Sequence, residues 1–238
     1  MEVKLLHLYY DIMNLYGEYG NIKMLEQHLK DQGFEVLLDK KTINEEINFK
    51  EYDFIYIGSG TERNQDVILE DMYKYKESFK EAIENNKVIL LTGNSYEILG
   101  NNINGKKALD IFSFETETTE NRITEDIIAT SNILKNKVVG FINNMSSITK
   151  NEQPFFKIEF GVGQNKDSMK EGIMYKNLIG THLIGPLLER NPEILQLIVE
   201  KIGKNKDEKF EYKKIEYPEE ENGYKLVVQE LENRKENM

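Results

Sequence analysis

The residues with chemistry to offer gather in Lys87–Gly100, KVILLTGNSYEILG. Val88, Ile89, Leu90 and Leu91 form a short apolar run without polar alternation, the pattern of a strand buried on both faces of a parallel sheet. Thr92-Gly93-Asn94-Ser95 makes a tight turn, and Tyr96, Ile98 and Leu99 supply the apolar residues of a short helix closed by Gly100. Strand, sharp turn and helix N-terminus make a nucleophile elbow. Such a turn lifts its apex side chain above the sheet edge, beside N–H groups that can hold an oxyanion. Here the apex is Gly93, which has no side chain to attack with. Thr92 and Ser95 flank it with hydroxyls, but both lie off the apex and neither has an evident base. The chain contains no cysteine, which excludes thiolate catalysis, disulfides and Cys metal sites. Its three histidines, His7, His28 and His182, are not spaced for zinc. No metal or cofactor is implied.

The elements that must position this turn alternate. Val3–Tyr10 reads as a first strand, followed by a polar, Gly-containing loop over Asp11–Asn21. Ile22, Leu25 and Leu29 share one helical face, with Gly33 placed as a C-cap. Phe34–Leu38 and Asp53–Ile57 are further strands, the second ended by Gly58-Ser59-Gly60. Ile68, Met72, Tyr75, Phe79 and Ala82 are spaced as the inner stripe of one helix. The pattern predicts an α/β fold: a doubly wound, mostly parallel sheet with helices on both faces and functional loops at the carboxyl ends of its strands.

Asn101–Lys137 is different, being polar and rich in Thr and Glu, with strand-like patches at Ile111–Phe114 and Ile127–Ala129. With Val138–Ile142 and Phe155–Ile158 these predict an antiparallel extension packed on the main sheet. Leu178–Leu183 is another strand, ended by Ile184-Gly185-Pro186. Asn191-Pro192-Glu193 predicts a helix start with Asn191 as N-cap, a stripe of Ile194, Ile198 and Ile202, and Gly203 after its end. The dense Lys and Glu of Lys204–Met238 divide the chain into a body, 1–203, and a charged extension, 204–238. Within the extension, Tyr224–Arg234 fits a helix, a strand or a poorly ordered tail.

At 238 residues and 39% apolar composition, the chain can bury one full core with an appendage. A net charge of -11 argues against nucleic-acid binding. No basic start precedes an apolar core at the N-terminus, and no apolar run approaches the roughly 20 residues that span a bilayer. These features predict a cytoplasmic protein without membrane insertion.

Four stretches together resemble class I glutamine amidotransferases of the cobyric acid synthase (CobB/CobQ) type, in particular the glutaminase (GatD-like) subunits of lipid II isoglutaminyl synthases. Tyr9–Ile22 (YYDIMNLYGEYGNI) is similar to the family's N-terminal loop with its Asn-(Ile/Leu)-Tyr-Gly core. Ile57–Gln65 (IGSGTERNQ) is similar to its Gly-rich loop followed by Asp/Glu-Arg-x-Gln. Thr92–Gly100 stands in place of its Cys-Gly-Gly-Tyr-Gln-x-Leu-Gly elbow, and Lys176–Pro192 (KNLIGTHLIGPLLERNP) resembles its Gly-Thr-(Tyr)-Leu-His-Gly-Pro block. The match runs over about residues 3–203. It implies a flavodoxin-like amidotransferase fold, a place in peptidoglycan precursor amidation, and a heteromeric partner, a Mur-ligase-like ATP-dependent synthetase subunit.

The family's chemistry uses a cysteine thiolate to attack the glutamine side-chain amide, a histidine to carry the proton, and backbone N–H groups to hold the oxyanion. The resemblance puts Gly93 at the cysteine position and Ile184 at the histidine position. Where the family seats glutamine with Glu-x-His-Gly-Gly-Arg, this chain has Ile142, Asn144 and Ser147, and the elbow Gln is Glu97. The residual pocket then comprises Gly58, Ser59, Gly60, Arg63, Asn94, Ser95, Tyr96, Glu97, Asn144 and His182. Plainer roles compete: a tight turn for Gly58 and Gly60, a surface or helix-start ion pair for Arg63, core packing for Tyr96. His182 occupies a position where the family packs a Tyr. The chain therefore reads as a catalytically degenerate amidotransferase serving as a non-catalytic subunit or regulator. The alternative is an active amidotransferase or amidase with an unconventional nucleophile or a partner-supplied group. A third reading is a small-molecule sensor built from the old glutamine pocket, which Glu97 and Asn144 would fit.

Overall fold

The computed structural model describes residues 1–237; Met238, the last residue of the expected extension, lies outside them. The elements, in order, begin with β1 (Glu2–Leu8), α1 (Tyr19–Asp31), β2 (Glu35–Lys41), β3 (Phe54–Ile57), α2 (Glu62–Met72), α3 (Lys76–Glu84) and β4 (Val88–Thr92). A second group comprises β5 (Asn102–Ile103), β6 (Lys106–Lys107), β7 (Glu115–Thr130), β8 (Val138–Thr149), β9 (Phe156–Phe160) and β10 (Lys170–Glu171). The chain then returns through β11 (Ile173–Tyr175) and β12 (Leu178–Thr181) to α4 (Leu187–Arg190), α5 (Pro192–Lys206) and α6 (Pro218–Glu236).

The main sheet has the order β11-β12-β4-β3-β1-β2, parallel except for β11 at one edge. Every residue of β3 and β4 is buried, as two-sided burial demands. Alternate side chains enter opposite layers. Val3, Leu5, Phe54, Tyr56, Val88 and Leu90 face α1 and α5, whose Ile22, Leu25, Ile194, Ile198 and Ile202 complete that cluster. Leu6, Leu8, Ile55, Ile57, Ile89 and Leu91 face Ile68, Met72, Phe79 and Ile83 of α2 and α3. The loops after β1, β3, β4 and β12 consequently meet at one end of the sheet.

Several expectations are corrected in detail. The inner stripe from Ile68 to Ala82 belongs to two helices, because a 3-10 turn at Tyr73–Tyr75 separates α2 from α3. Ile111–Phe114 forms no strand. The polar stretch instead becomes β7, a 16-residue strand whose Thr and Glu residues stand largely on the solvent side. β7 and β8 pair with each other, and with β5, β6, β9 and β10 they form a separate six-stranded sheet. Asn191 precedes α5, but its side chain makes no cap: Oδ1 accepts the Val139 N–H at 2.8 Å, and Nδ2 donates to the Val139 and Leu187 carbonyls. Gly203 lies inside α5, where the Phe210 ring crosses so closely that a Cβ would stand 2.2 Å from it.

The described part of the extension completes α5 and forms α6. α6 lays Leu231, with Tyr224, Val227 and Val228, over Ile128 of β7 and Val139 of β8. Its charges find partners there, Arg234 with Asp126, Glu232 with Lys137 and Lys235 with Glu159. At its start, His28 of α1 meets Glu220 in the first turn of α6 at 3.1 Å and stacks on Tyr217 just before it, with ring centroids 4.0 Å apart. Among the described residues, no helix is long and apolar enough to cross a membrane.

Candidate functional site

The turn after β4 runs into a 3-10 helix, Gly93–Leu99, all of it buried. Gly93 has φ +63°, in the left-handed region where an L side chain is strained. A Cβ built there would stand 2.3 Å from Ser59 Oγ and 2.4 Å from Ser59 Cβ. The loop after β3 thus places the Ser59 side chain where an elbow side chain would project. Asn94, next in the turn, reaches back to the same loop: its Oδ1 accepts the Gly60 N–H at 3.0 Å and lies 3.5 Å from Ser59 Oγ. The Asn94 carbonyl accepts Gln65 Nε2 at 2.7 Å, and the same amide donates to Glu97 Oε2 at 2.6 Å.

The flanking hydroxyls turn away from this point. Ser95 donates to the Ile57 and Thr92 carbonyls at 3.0 and 2.9 Å. Thr92 is fully buried and donates to Glu18. Glu18, in the loop before α1, also accepts the Tyr56 hydroxyl at 2.9 Å and the Gly185 N–H at 3.0 Å. Burial pushes its carboxyl up, against the hydrogen bonds from Thr92, Gly185 and Tyr56. Glu18 therefore ties the elbow to the loop holding Ile184. Thr92, expected to lack a base, has the Glu18 carboxyl beside it, in a place closed to solvent.

His182 sits between two carboxylates. Its Nε2 is 3.0 Å from Glu97 Oε1 and its Nδ1 is 3.2 Å from Glu171 Oε2, and all three residues are buried. Ser146 donates to Glu97, and the Thr181 hydroxyl and His182 N–H donate to Glu171. Burial alone would lower the imidazole, but Glu171 and Glu97 overcome it and hold the ring protonated, with its pKa raised to about 10. Burial would likewise raise Glu171, whose carboxyl is nevertheless held below its usual range by the His182 charge and three hydrogen bonds. A histidine protonated at neutral pH with both nitrogens engaged cannot serve as a base.

A cavity of about 390 Å³ opens beside the elbow. Of the predicted pocket residues, Ser59, Gly60, Asn94, Glu97 and Asn144 line it. Gly58, Arg63, Ser95, Tyr96 and His182 do not. Gly58 backs onto the Met13 carbonyl. Arg63 is exposed on the first turn of α2. Tyr96 is a core residue packed on Phe114 and His182. Ile184, at the family's histidine position, is buried in a bridge to Phe141, and Ile142 belongs to the core. Ser147 lies outside the lining, while its neighbour Ser146 is part of it. Arg122 of β7 went unnoticed in the sequence; it lines the cavity and pairs with Glu62 at 2.6 Å and Asn143 at 3.1 Å. Glu18, Gln65 and Glu171 were also missed. Among the described residues, no cluster of three His, Cys, Asp or Glu could hold a metal ion.

Solved structures define the class. The chain superimposes on PurLQS from Thermotoga maritima with a TM-score of 0.55 at 15% identity, covering 85% of this chain and 96% of that one. A glutamine amidotransferase from the same organism gives 0.51 at 10% identity, covering 85% and 91%. The fold is that of class I glutamine amidotransferases, flavodoxin-like and mostly parallel. Residues 4–192 match the model of the CobB/CobQ-like glutamine amidotransferase domain, and the chain belongs to that family. It is similar to the lipid II isoglutaminyl synthase (glutamine-hydrolyzing) subunit GatD of Staphylococcus aureus, 33% identical over 98% of both chains. The subunit of that name from Streptococcus pneumoniae is 29% identical, over 83% of this chain and 79% of that one.

Proposed function

We propose that this chain is a non-catalytic, GatD-like subunit that holds or regulates a Mur-ligase-like, ATP-dependent synthetase in the cytoplasmic amidation of lipid II or a related cell-wall precursor. Residues 1–203 would form the amidotransferase-like body and 204–238 the charged extension fastened to it. The observation that carries the loss of catalysis is Gly93 at φ +63° with the Ser59 side chain standing over it. That apex has neither a nucleophile nor room for one. Loss of nucleophile and base together costs on the order of 10⁶ in turnover, as triad deletions in a serine protease indicate. Ser95 and His182 are committed elsewhere, and Thr92, although bonded to Glu18, is closed to solvent and off the apex, which weighs against an unconventional nucleophile. The GatD names of the relatives support the pathway and the partner.

The test is reconstitution with the Mur-ligase-like protein of the same cell, lipid II and ATP. The expected result is a stable complex that amidates with free ammonium and not with glutamine. Glutamine-dependent product that vanishes on Thr92→Ala or Ser95→Ala would establish the enzyme reading instead. Failure of the two proteins to associate would remove the partner.

A further inference from the structure

We infer that the elbow is shut from within: the Asn94 side-chain carbonyl takes the Gly60 N–H and the Ser59 side chain fills the space over Gly93, so that the deep end of the cavity excludes a substrate carbonyl. The inference rests on the proposed loss of catalysis and adds to it a second, separate lock. An oxyanion site works because its backbone donors have no partner until the substrate oxygen arrives. Here the Gly60 N–H is already satisfied at 3.0 Å by an acceptor from its own chain. A ligand carbonyl could take that N–H only by displacing Asn94 Oδ1 and leaving it the longer 3.5 Å approach of the Ser59 hydroxyl, which is costly.

The lock is held at both ends. Gln65 Nε2 holds the Asn94 main-chain carbonyl at 2.7 Å and is itself fixed by Glu97 at 2.6 Å. On the other side, the Ser59 carbonyl accepts the Leu15 N–H at 2.9 Å, which pins the loop after β3. The backbones that carry the Asn94 and Ser59 side chains are thus both held to neighbouring segments. The cavity therefore remains open at its outer part, near Arg122 and Ser146, and is closed at the elbow.

Amide exchange and chemical shift at Gly60 read the lock directly. In the unaltered protein the Gly60 N–H should be protected and should not shift with L-glutamine or acetamide. Asn94→Gly with Ser59→Gly should speed its exchange on the order of tenfold or more, by removing one buried hydrogen bond, and should let glutamine shift it. Asn94→Asp, which keeps an acceptor, should retain the protection and guards against a double variant that fails to fold. Because the chain has no cysteine, a thiol introduced by Gly93→Cys can be followed alone. Iodoacetamide should modify it faster once Ser59→Gly is added. A Gly60 shift with glutamine in the unaltered protein, or unchanged exchange in folded Asn94→Gly, would overturn the inference. An unlocked protein that binds glutamine without hydrolysing it supports lock and lost catalysis together. Hydrolysis by it would keep the lock and sink the proposed function.

Discussion

At the residue scale, Gly93 and Ser59 form a matched pair. Gly93→Ala places a side chain in the left-handed region, at about 1 kcal/mol, and against the Ser59 side chain, at about 1–3 kcal/mol for overpacking. The urea midpoint should fall accordingly. Ser59→Gly in the same chain should recover the packing part and leave the conformational part. An unchanged midpoint for Gly93→Ala would mean that the turn relaxes to an ordinary conformation. His182 governs a pH dependence. Its pKa rises from an ordinary 6.5 to about 10 in the folded chain. The folded state thus binds the extra proton, and this contribution is complete below about pH 6.5 and is lost as pH climbs toward 10. Denaturation midpoints should decline across that window. His182→Gln should flatten the decline and destabilise by about 3–5 kcal/mol at neutral pH, since it leaves Glu97 and Glu171 facing each other without a cation. A variant with the original pH slope would show that another group titrates there.

At the element scale, α6 covers the outward face of the β7–β8 pair with one side chain above all, Leu231, which is 4% exposed. Leu231→Ala should cost about 2 kcal/mol or more, read as a lower urea midpoint, and an exposed α6 surface residue such as Leu226 should tolerate the same change. Equal effects at both positions would mean that α6 does not pack as described. The inner strands of the main sheet were legible because burial on both faces leaves an unmixed apolar run, as in Val88–Leu91, whereas the edge strand β11 was not read. β7 was legible only at its buried end, Ile127–Ala129, because its remainder has a wet face and a register shift between Thr118 and Ile123. The break between α2 and α3 was hidden by an apolar spacing that continues through it. The same limit applied to the site. Gly93, Ser59 and Asn94 were legible from the order of motif blocks. Glu18 beside Thr92, Glu171 beside His182, and Arg122 at the cavity were not, since each acquires its role from a segment brought near only by folding.

At the scale of the whole molecule, the site is assembled from the loops after β1, β3, β4 and β12, with β7 and β8 forming its outer wall. Replacing two residues should therefore not rebuild an enzyme. Gly93→Cys with Ile184→His should give at most weak ammonia release from glutamine, because Ser59 crowds the new thiol, Asn94 retains the Gly60 N–H and Ile184 is packed against Phe141. Near-family rates from the double variant would show that loop geometry matters less than the two missing side chains. The contact between Ser59 and Gly93 also gives the molecule a direction in mutational space. Introducing a cysteine first sets its Cβ against a serine that cannot yield, so that step is a stability valley. Trimming Ser59 first only opens a small void, after which the cysteine can enter. Two changes that commute on paper do not commute in the protein, and the entry of a thiol at the elbow is passable in one order and obstructed in the other.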